Sequence, residues 1–120
     1  GNHKTTLKGI EAIDKALGLV IERVLSKDGA AIVTADHGNA ESLIYRGSGE
    51  AETRHNDNPV PFYLVGKKYR RDKPAGKVLQ KTLDVIGILG DVAPTILEIM
   101  GIPQPAEMTG KSLLPLLARN

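Results

Sequence analysis

"AAIVTADHGNAE", Ala30 to Glu41, decides how this chain is read. Its first six residues, Ala30 to Ala35, form a short apolar run rich in β-branched residues. That length and composition predict a buried strand. Asp36 and His37 follow at once. They stand at the carboxyl end of the strand, where ligand sites of α/β sheets gather. In a continuing strand, neighbouring side chains point to opposite faces and could not meet one ligand. Gly38 is expected to turn the backbone sharply, so that both side chains converge. A carboxylate oxygen and a neutral imidazole nitrogen are ordinary ligands for zinc or manganese. An Asp turn beside a surface His is the plainer alternative, and for an isolated Asp-His pair the better one. The position after the strand and the flanking Gly38-Asn39 favour a metal.

Working outward, residues 5 to 27 predict a helix. Leu7, Ile10, Ile13, Leu17, Val20, Ile21 and Val24 recur at mostly three- and four-residue steps and form one apolar stripe. Thr5 or Thr6 is the expected N-cap. Asp28-Gly29 is the expected stop, with Gly29 in the left-handed conformation. On the other side, "PVPFYLVG", Pro59 to Gly66, predicts a second strand. Pro59 and Pro61 keep its start out of the middle of a ladder. The polar stretch Arg46 to Asn58 between the strands is loop by composition. Further along, Asp91 is the expected cap of another helix, with Pro94 in its first turn. Val92, Ile96, Ile99 and Met100 mark its buried side, and Gly101 and Pro103 end it. Ser112 to Leu117 suggests a last short helix, limited by Pro115. The fold class is therefore α/β, a sheet covered by helices. Two strands make a thin sheet, so further strands are expected elsewhere in a longer protein.

The 120 residues fit one ordinary domain or a piece of a larger one. Hydrophobic residues make up 41%, and with three Tyr and one Phe the core must be aliphatic. Net charge is +2. The one dense basic cluster, Lys67, Lys68, Arg70, Arg71 and Lys73, reads as a solvated loop, because it carries no nucleic-acid recognition motif. No nucleic-acid partner is expected. The absence of cysteine excludes disulfides and thiolate metal sites and suits a reducing cytosol. No apolar run reaches membrane-spanning length and no signal-peptide pattern opens the chain. A cytoplasmic protein without a membrane partner is expected.

His55 is the third candidate ligand. Alone, a loop His is usually solvated; at the same sheet edge as Asp36 and His37 it becomes a ligand candidate. His3 has no partner in view. Glu50, Glu52 and Asp57 read as solvated loop acids, although Glu52 is close enough in sequence to His55 to support it. "MTGKS", Met108 to Ser112, is not a phosphate loop: a Walker motif needs Gly five positions before Gly110, where Pro105 stands. Ser26, Ser42, Ser48 and Ser112 have no adjacent base and read as caps or loop residues.

Three stretches together resemble a known family. "TADHGNAE" (Thr34 to Glu41), "HNDNPVPF" (His55 to Phe62) and "GDVAPTILEIMGIPQPAEMTGKSL" (Gly90 to Leu113) are similar to the C-terminal part of cofactor-independent phosphoglycerate mutase. The resemblance implies an alkaline-phosphatase-like α/β domain, of which residues 1–120 are the C-terminal portion. It implies interconversion of 3- and 2-phosphoglycerate in glycolysis through a phosphoserine, with two Mn²⁺ ions and no organic cofactor. Asp36 and His37 match ligands of one metal, and His55 matches a ligand of the other. The nucleophilic Ser, the remaining ligands and the substrate-binding domain are expected outside this chain, so the chain alone is expected to be inactive and the whole enzyme a monomer. Family members with "HTxHTTNPVPF" differ here: Glu52 replaces the first His and Asn56-Asp57 replace two Thr, while His55 is kept. Two alternatives remain. One is phosphopentomutase or another metalloenzyme of the same superfamily. The other is a non-catalytic assembly module built on exposed apolar faces.

Overall fold

The computed structural model describes residues 3–42, 54–70 and 85–117. The chain divides into two compact units, Gly1–Lys68 and Tyr69–Asn120. Arg71, Lys73 and residues 46–53 of the expected loop, with Ser48, Glu50 and Glu52, lie outside the described residues.

The first unit opens with helix α1, His3–Ser26. It is unbroken by proline and carries the predicted stripe. The helix runs through Thr5 and Thr6, so neither is its N-cap as the sequence suggested. The stripe is also less covered than its periodicity implies. Leu17, Ile21, Val24 and Leu25, in the second half, are half-buried, whereas Leu7, Ile10 and Ile13 are exposed. At the C-terminus Asp28 N–H donates to Leu25 O and Gly29 N–H donates to Val24 O, 3.2 and 3.0 Å. These two bonds define a Schellman ending. Asp28, not Gly29, takes the left-handed position, with φ 54°. Gly29 is needed for a different reason: a Cβ there would sit 3.1 Å from both Val24 Cγ1 and Val24 O.

Strands β1, Ala30–Thr34, and β2, Phe62–Gly66, pair antiparallel, from Ala30↔Gly66 to Thr34↔Phe62. Helix α1 contacts both. Side chains on the strands are half-buried or exposed, not enclosed as the apolar run predicted. β2 begins at Phe62, three residues later than expected, because Pro59 and Pro61 have no N–H for a ladder. Beyond Thr34↔Phe62 the segments part, then meet again at one bridge, Gly38↔Asn56. Three residues, 35–37, separate rung and bridge on one side; five, 57–61, do so on the other. A 3₁₀ turn, Lys67–Tyr69, follows β2, and Lys67 Nζ reaches back to Asp28 Oδ1 at 2.6 Å.

In the second unit a 3₁₀ turn, Leu89–Asp91, runs into α2, Val92–Met100, and α3 spans Leu114–Leu117. Gly101 ends α2 in the left-handed conformation, φ 68°, and Ile102 N–H donates to Leu97 O. Asp91 was expected to cap α2 with its side chain. Instead it adopts helical dihedrals and makes no side-chain cap bond. Its carboxylate accepts from Ile88 N–H at 2.9 Å and from Lys111 N–H at 2.7 Å. These bonds, the Ile88 one first, hold the Asp91 carboxyl below the usual aspartate range. Fully buried Thr95 donates from Oγ1 to Asp91 O and accepts from Leu113 N–H. Leu113 and Pro94 are the apolar side chains buried among the described residues. The Met108–Ser112 stretch is the expected turn into α3: Gln104 Nε2 donates to Met108 O and Gly110 O, and Ser112 Oγ accepts from Leu114 N–H.

Candidate metal centre

β1 delivers Asp36 and His37 past its last rung, and the chain returning toward β2 delivers His55. The Gly38↔Asn56 bridge ties the two segments through Gly38 N–H to Asn56 O and Asn56 N–H to Gly38 O, 3.0 and 3.1 Å. Gly38 is buried, and a Cβ at this position would collide with Asn56 Oδ1 and Glu41 Oε1. Its φ is not in the left-handed region, where Gly101 is the one glycine among the described residues. The sequence pointed to Gly38 as a sharp turn. Its requirement is instead room for the second segment to approach.

That approach brings the imidazoles of His37 and His55 together. Their centroids are 3.6 Å apart and the rings are 16° from parallel. His37 Nε2 lies 3.5 Å from Asp36 Oδ1. His37 Nδ1 lies 3.0 Å from the Gly38 carbonyl. A carbonyl only accepts, so Nδ1 is the donor in this contact, and Nε2 is the ring nitrogen turned toward Asp36. Metal-ligating histidines are typically held this way, one ring nitrogen donating to a carbonyl and the other left for the ion. Asp36 is open to solvent and His37 one-third exposed. The three sequence-derived candidates therefore share one edge of the sheet. His3 is exposed on α1, and Asp57 is exposed in the returning segment.

The donor chemistry suits a divalent cation. Two atoms each about 2.1 Å from one ion stand roughly 3.0–3.5 Å apart, depending on the angle. Asp36 Oδ1 and His37 Nε2 are at that separation. His55 stacks face to face on His37, and lone pairs lie in the ring planes, so the two rings do not aim at one point between them. Among the described residues, no group of three or more His, Cys, Asp or Glu is arranged to hold a metal ion. The residues fit partial ligand sets, not a complete shell.

Sequence reasoning missed the groups that brace this edge. Glu41 Oε2 accepts from Asn39 N–H and Oε1 from Asn58 Nδ2, both at 2.9 Å. Asn39 Nδ2 donates to Arg54 O at 3.3 Å, and Asn58 N–H donates to Asn56 Oδ1 at 3.0 Å. The Asn58 amide is the main cause, with backbone N–H groups next, that lowers the Glu41 carboxyl from 4.5 to about 2. Asn56 Nδ2 is buried with no hydrogen-bond partner. Being a donor, it is no ligand for a cation. The one signal for this brace was the set of Asn side chains at 39, 56 and 58, on both sides of the site residues. An open depression of about 590 Å³ in the second unit, bordered by Ile88, Asp91, Met108 and Lys111, contains no histidine.

Residues 1–104 match the metalloenzyme superfamily, and the chain belongs to it. Among curated relatives, it is 46% identical over 114 residues to the 2,3-bisphosphoglycerate-independent phosphoglycerate mutase of Gloeobacter violaceus, a match covering 95% of this chain and 21% of that protein. Identity to the enzyme of the same name from Clostridium botulinum is 41%, covering 95% of this chain and 20% of the relative. Identity to 2,3-bisphosphoglycerate-independent phosphoglycerate mutase 2 of Methanosarcina barkeri is 45%, with the same coverage. The chain thus spans about a fifth of the length of the curated relatives it matches. Among the described residues, no helix is long and apolar enough to cross a membrane.

Proposed function

We propose that this chain is part of a cofactor-independent phosphoglycerate mutase that interconverts 3- and 2-phosphoglycerate in the cytoplasm. Its 120 residues form the C-terminal portion of an alkaline-phosphatase-like domain. Asp36 and His37 contribute to one Mn²⁺ site and His55 to the other. The observation that carries this reading is the shared edge: Asp36 Oδ1 within 3.5 Å of His37 Nε2, with the His55 ring stacked on His37. The names of the relatives supply the substrate class.

The phosphoryl group passes from substrate to a serine outside this chain and returns to the other hydroxyl of glycerate. Bound metals lower the pKa of that serine and screen charge on the transferring group. This chain's residues prepare the ligands. The Gly38 carbonyl fixes the His37 tautomer, Asp36 supplies negative charge, and the stack restrains both imidazoles. Without the serine the chain alone is inactive, and the whole enzyme acts as a monomer. Asp36→Asn in the intact enzyme is expected to abolish phosphoryl transfer, followed as 2-phosphoglycerate formed from 3-phosphoglycerate. Wild-type turnover by that variant would contradict the role given to Asp36.

A further inference from the structure

We infer that Glu41 is a positioning residue: its carboxylate clamps the Asp36–His37 turn to the segment bearing His55, and so sets the spacing of the two partial ligand sets. This inference rests on the metal role proposed above for those three residues.

Beyond the rung Thr34↔Phe62, the backbone joins the two segments only at Gly38↔Asn56 among the described residues. One side-chain bond, Asn39 Nδ2 to Arg54 O at 3.3 Å, supplements that bridge. Glu41 adds a further attachment, through both of its oxygens. Through Oε2 it holds Asn39 N–H, two residues after His37. Through Oε1 it holds the side chain of Asn58, three residues after His55. Asn58 in turn holds Asn56 Oδ1 through its own N–H, next to His55. The path therefore runs from one imidazole segment to the other through a single carboxylate. The described contacts of Glu41 reach neither Asp36 nor either ring, so its effect on a metal is indirect.

The chemistry of the clamp is specific to a carboxylate. Both partners are donors, an N–H and an NH₂, and only a group with two acceptor oxygens satisfies both. Gln at this position satisfies one and turns its own NH₂ toward the other. Asp keeps both oxygens but is one methylene shorter.

The test uses the full-length enzyme of which this chain is part, with Mn²⁺ binding measured by titration calorimetry and thermal unfolding recorded alongside. Glu41→Gln is expected to weaken Mn²⁺ binding about 10–100-fold, the range for losing a group that orients a ligand. kcat at saturating Mn²⁺ should stay within a few-fold of wild type. Glu41→Asp is the second variant, should Glu41→Gln fail to fold, and is expected to weaken binding too. The exchange Glu41→Gln with Asn58→Asp restores one donor facing one acceptor and is expected to recover Mn²⁺ affinity. Lowered thermal stability with wild-type Mn²⁺ affinity in both Glu41 variants would overturn the inference. Asp36→Asn in the same titration separates the two levels. Wild-type Mn²⁺ binding by that variant overturns the metal reading itself. Weakened binding there, with Glu41→Gln unchanged, overturns only the role of Glu41.

Discussion

Thr95 and Glu41 do the same kind of work in the two units, under opposite conditions. Thr95 is fully buried, and its one hydroxyl joins the Asp91 carbonyl to the Leu113 N–H. Glu41 is exposed, and its carboxylate joins Asn39 to Asn58. In the second unit the polar link runs between the buried residues Asp91, Thr95 and Leu113, where an unmade bond is expensive. In the first unit they lie at the surface, beside the candidate ligands, where water can replace a lost partner. The contrast separates bonds that hold a fold from bonds that aim side chains. Damage to the first kind should appear in stability, and damage to the second in metal affinity.

The sharpest way to break that contrast is one substitution made in both units of the full-length protein. At Gly110 an added Cβ would collide with the Gly90 carbonyl oxygen, which is backbone and cannot swing aside. Gly110→Ala is expected to destabilise by about 3 kcal/mol, read by chemical denaturation, with little change in Mn²⁺ affinity. At Gly38 the obstacles are side-chain oxygens of Asn56 and Glu41, which can rotate away. Gly38→Ala is expected to destabilise by only about 1 kcal/mol but to weaken Mn²⁺ binding more than Glu41→Gln does. Equal stability losses with unchanged metal binding would erase the distinction.

A smaller effect is expected at the two helix ends, which share a Schellman ending but fill its left-handed position differently. Gly101→Ala places a Cβ in that conformation and is expected to destabilise by about 1 kcal/mol. Asp28→Gly relieves the same strain and loses an exposed ion pair with Lys67, for a net gain of about 0.5 kcal/mol. Thermal unfolding of each single variant checks both signs.

The smallest effect is expected in acid. Both Asp91 and Glu41 have folded-state pKa values below their ordinary ones, 3.8 and 4.5. The unfolded chain therefore binds protons first. The stabilisation from each group is complete above its ordinary value and is lost as pH falls through the folded value, which for Glu41 is about 2. Glu41→Gln should flatten the acid limb of a stability–pH curve slightly, because the exposed carboxylate is well screened. Asp91→Asn should flatten it more. The reverse order would mean that the surface clamp holds the fold.

Much of the fold was legible because local patterns carry it. Helical periodicity located α1, β-branching located β1, and proline chemistry explains why β2 starts late. Burial was not legible: a stripe such as Leu7, Ile10 and Ile13 states what could be covered, not what covers it. Asp91 shows a second limit. A helix-start Asp reads as a cap, but its carboxylate is taken by Ile88 N–H and by Lys111 N–H twenty residues away. Gly38 shows the same thing at the candidate site, where a close approach looked like a turn. Asp36, His37 and His55 were legible as candidates because two strand ends point to one edge. The Glu41 clamp was not, since its partner Asn58 is seventeen residues distant and amides carry no distinctive spacing.

The unequal path lengths between Thr34↔Phe62 and Gly38↔Asn56 have one more consequence. The surplus of two residues on the returning strand works as a spacer. Were the ladder simply extended, Gly38 would face Asn58, and His55 would sit about 7 Å away from where it now stands, out of reach of the other ring. Because the surplus is even, the alternation of faces survives it. Because it contains Pro59 and Pro61, the detour strands fewer amide hydrogens than other residues would. The prolines that delay β2 thus belong to the stretch that lets the two histidines meet.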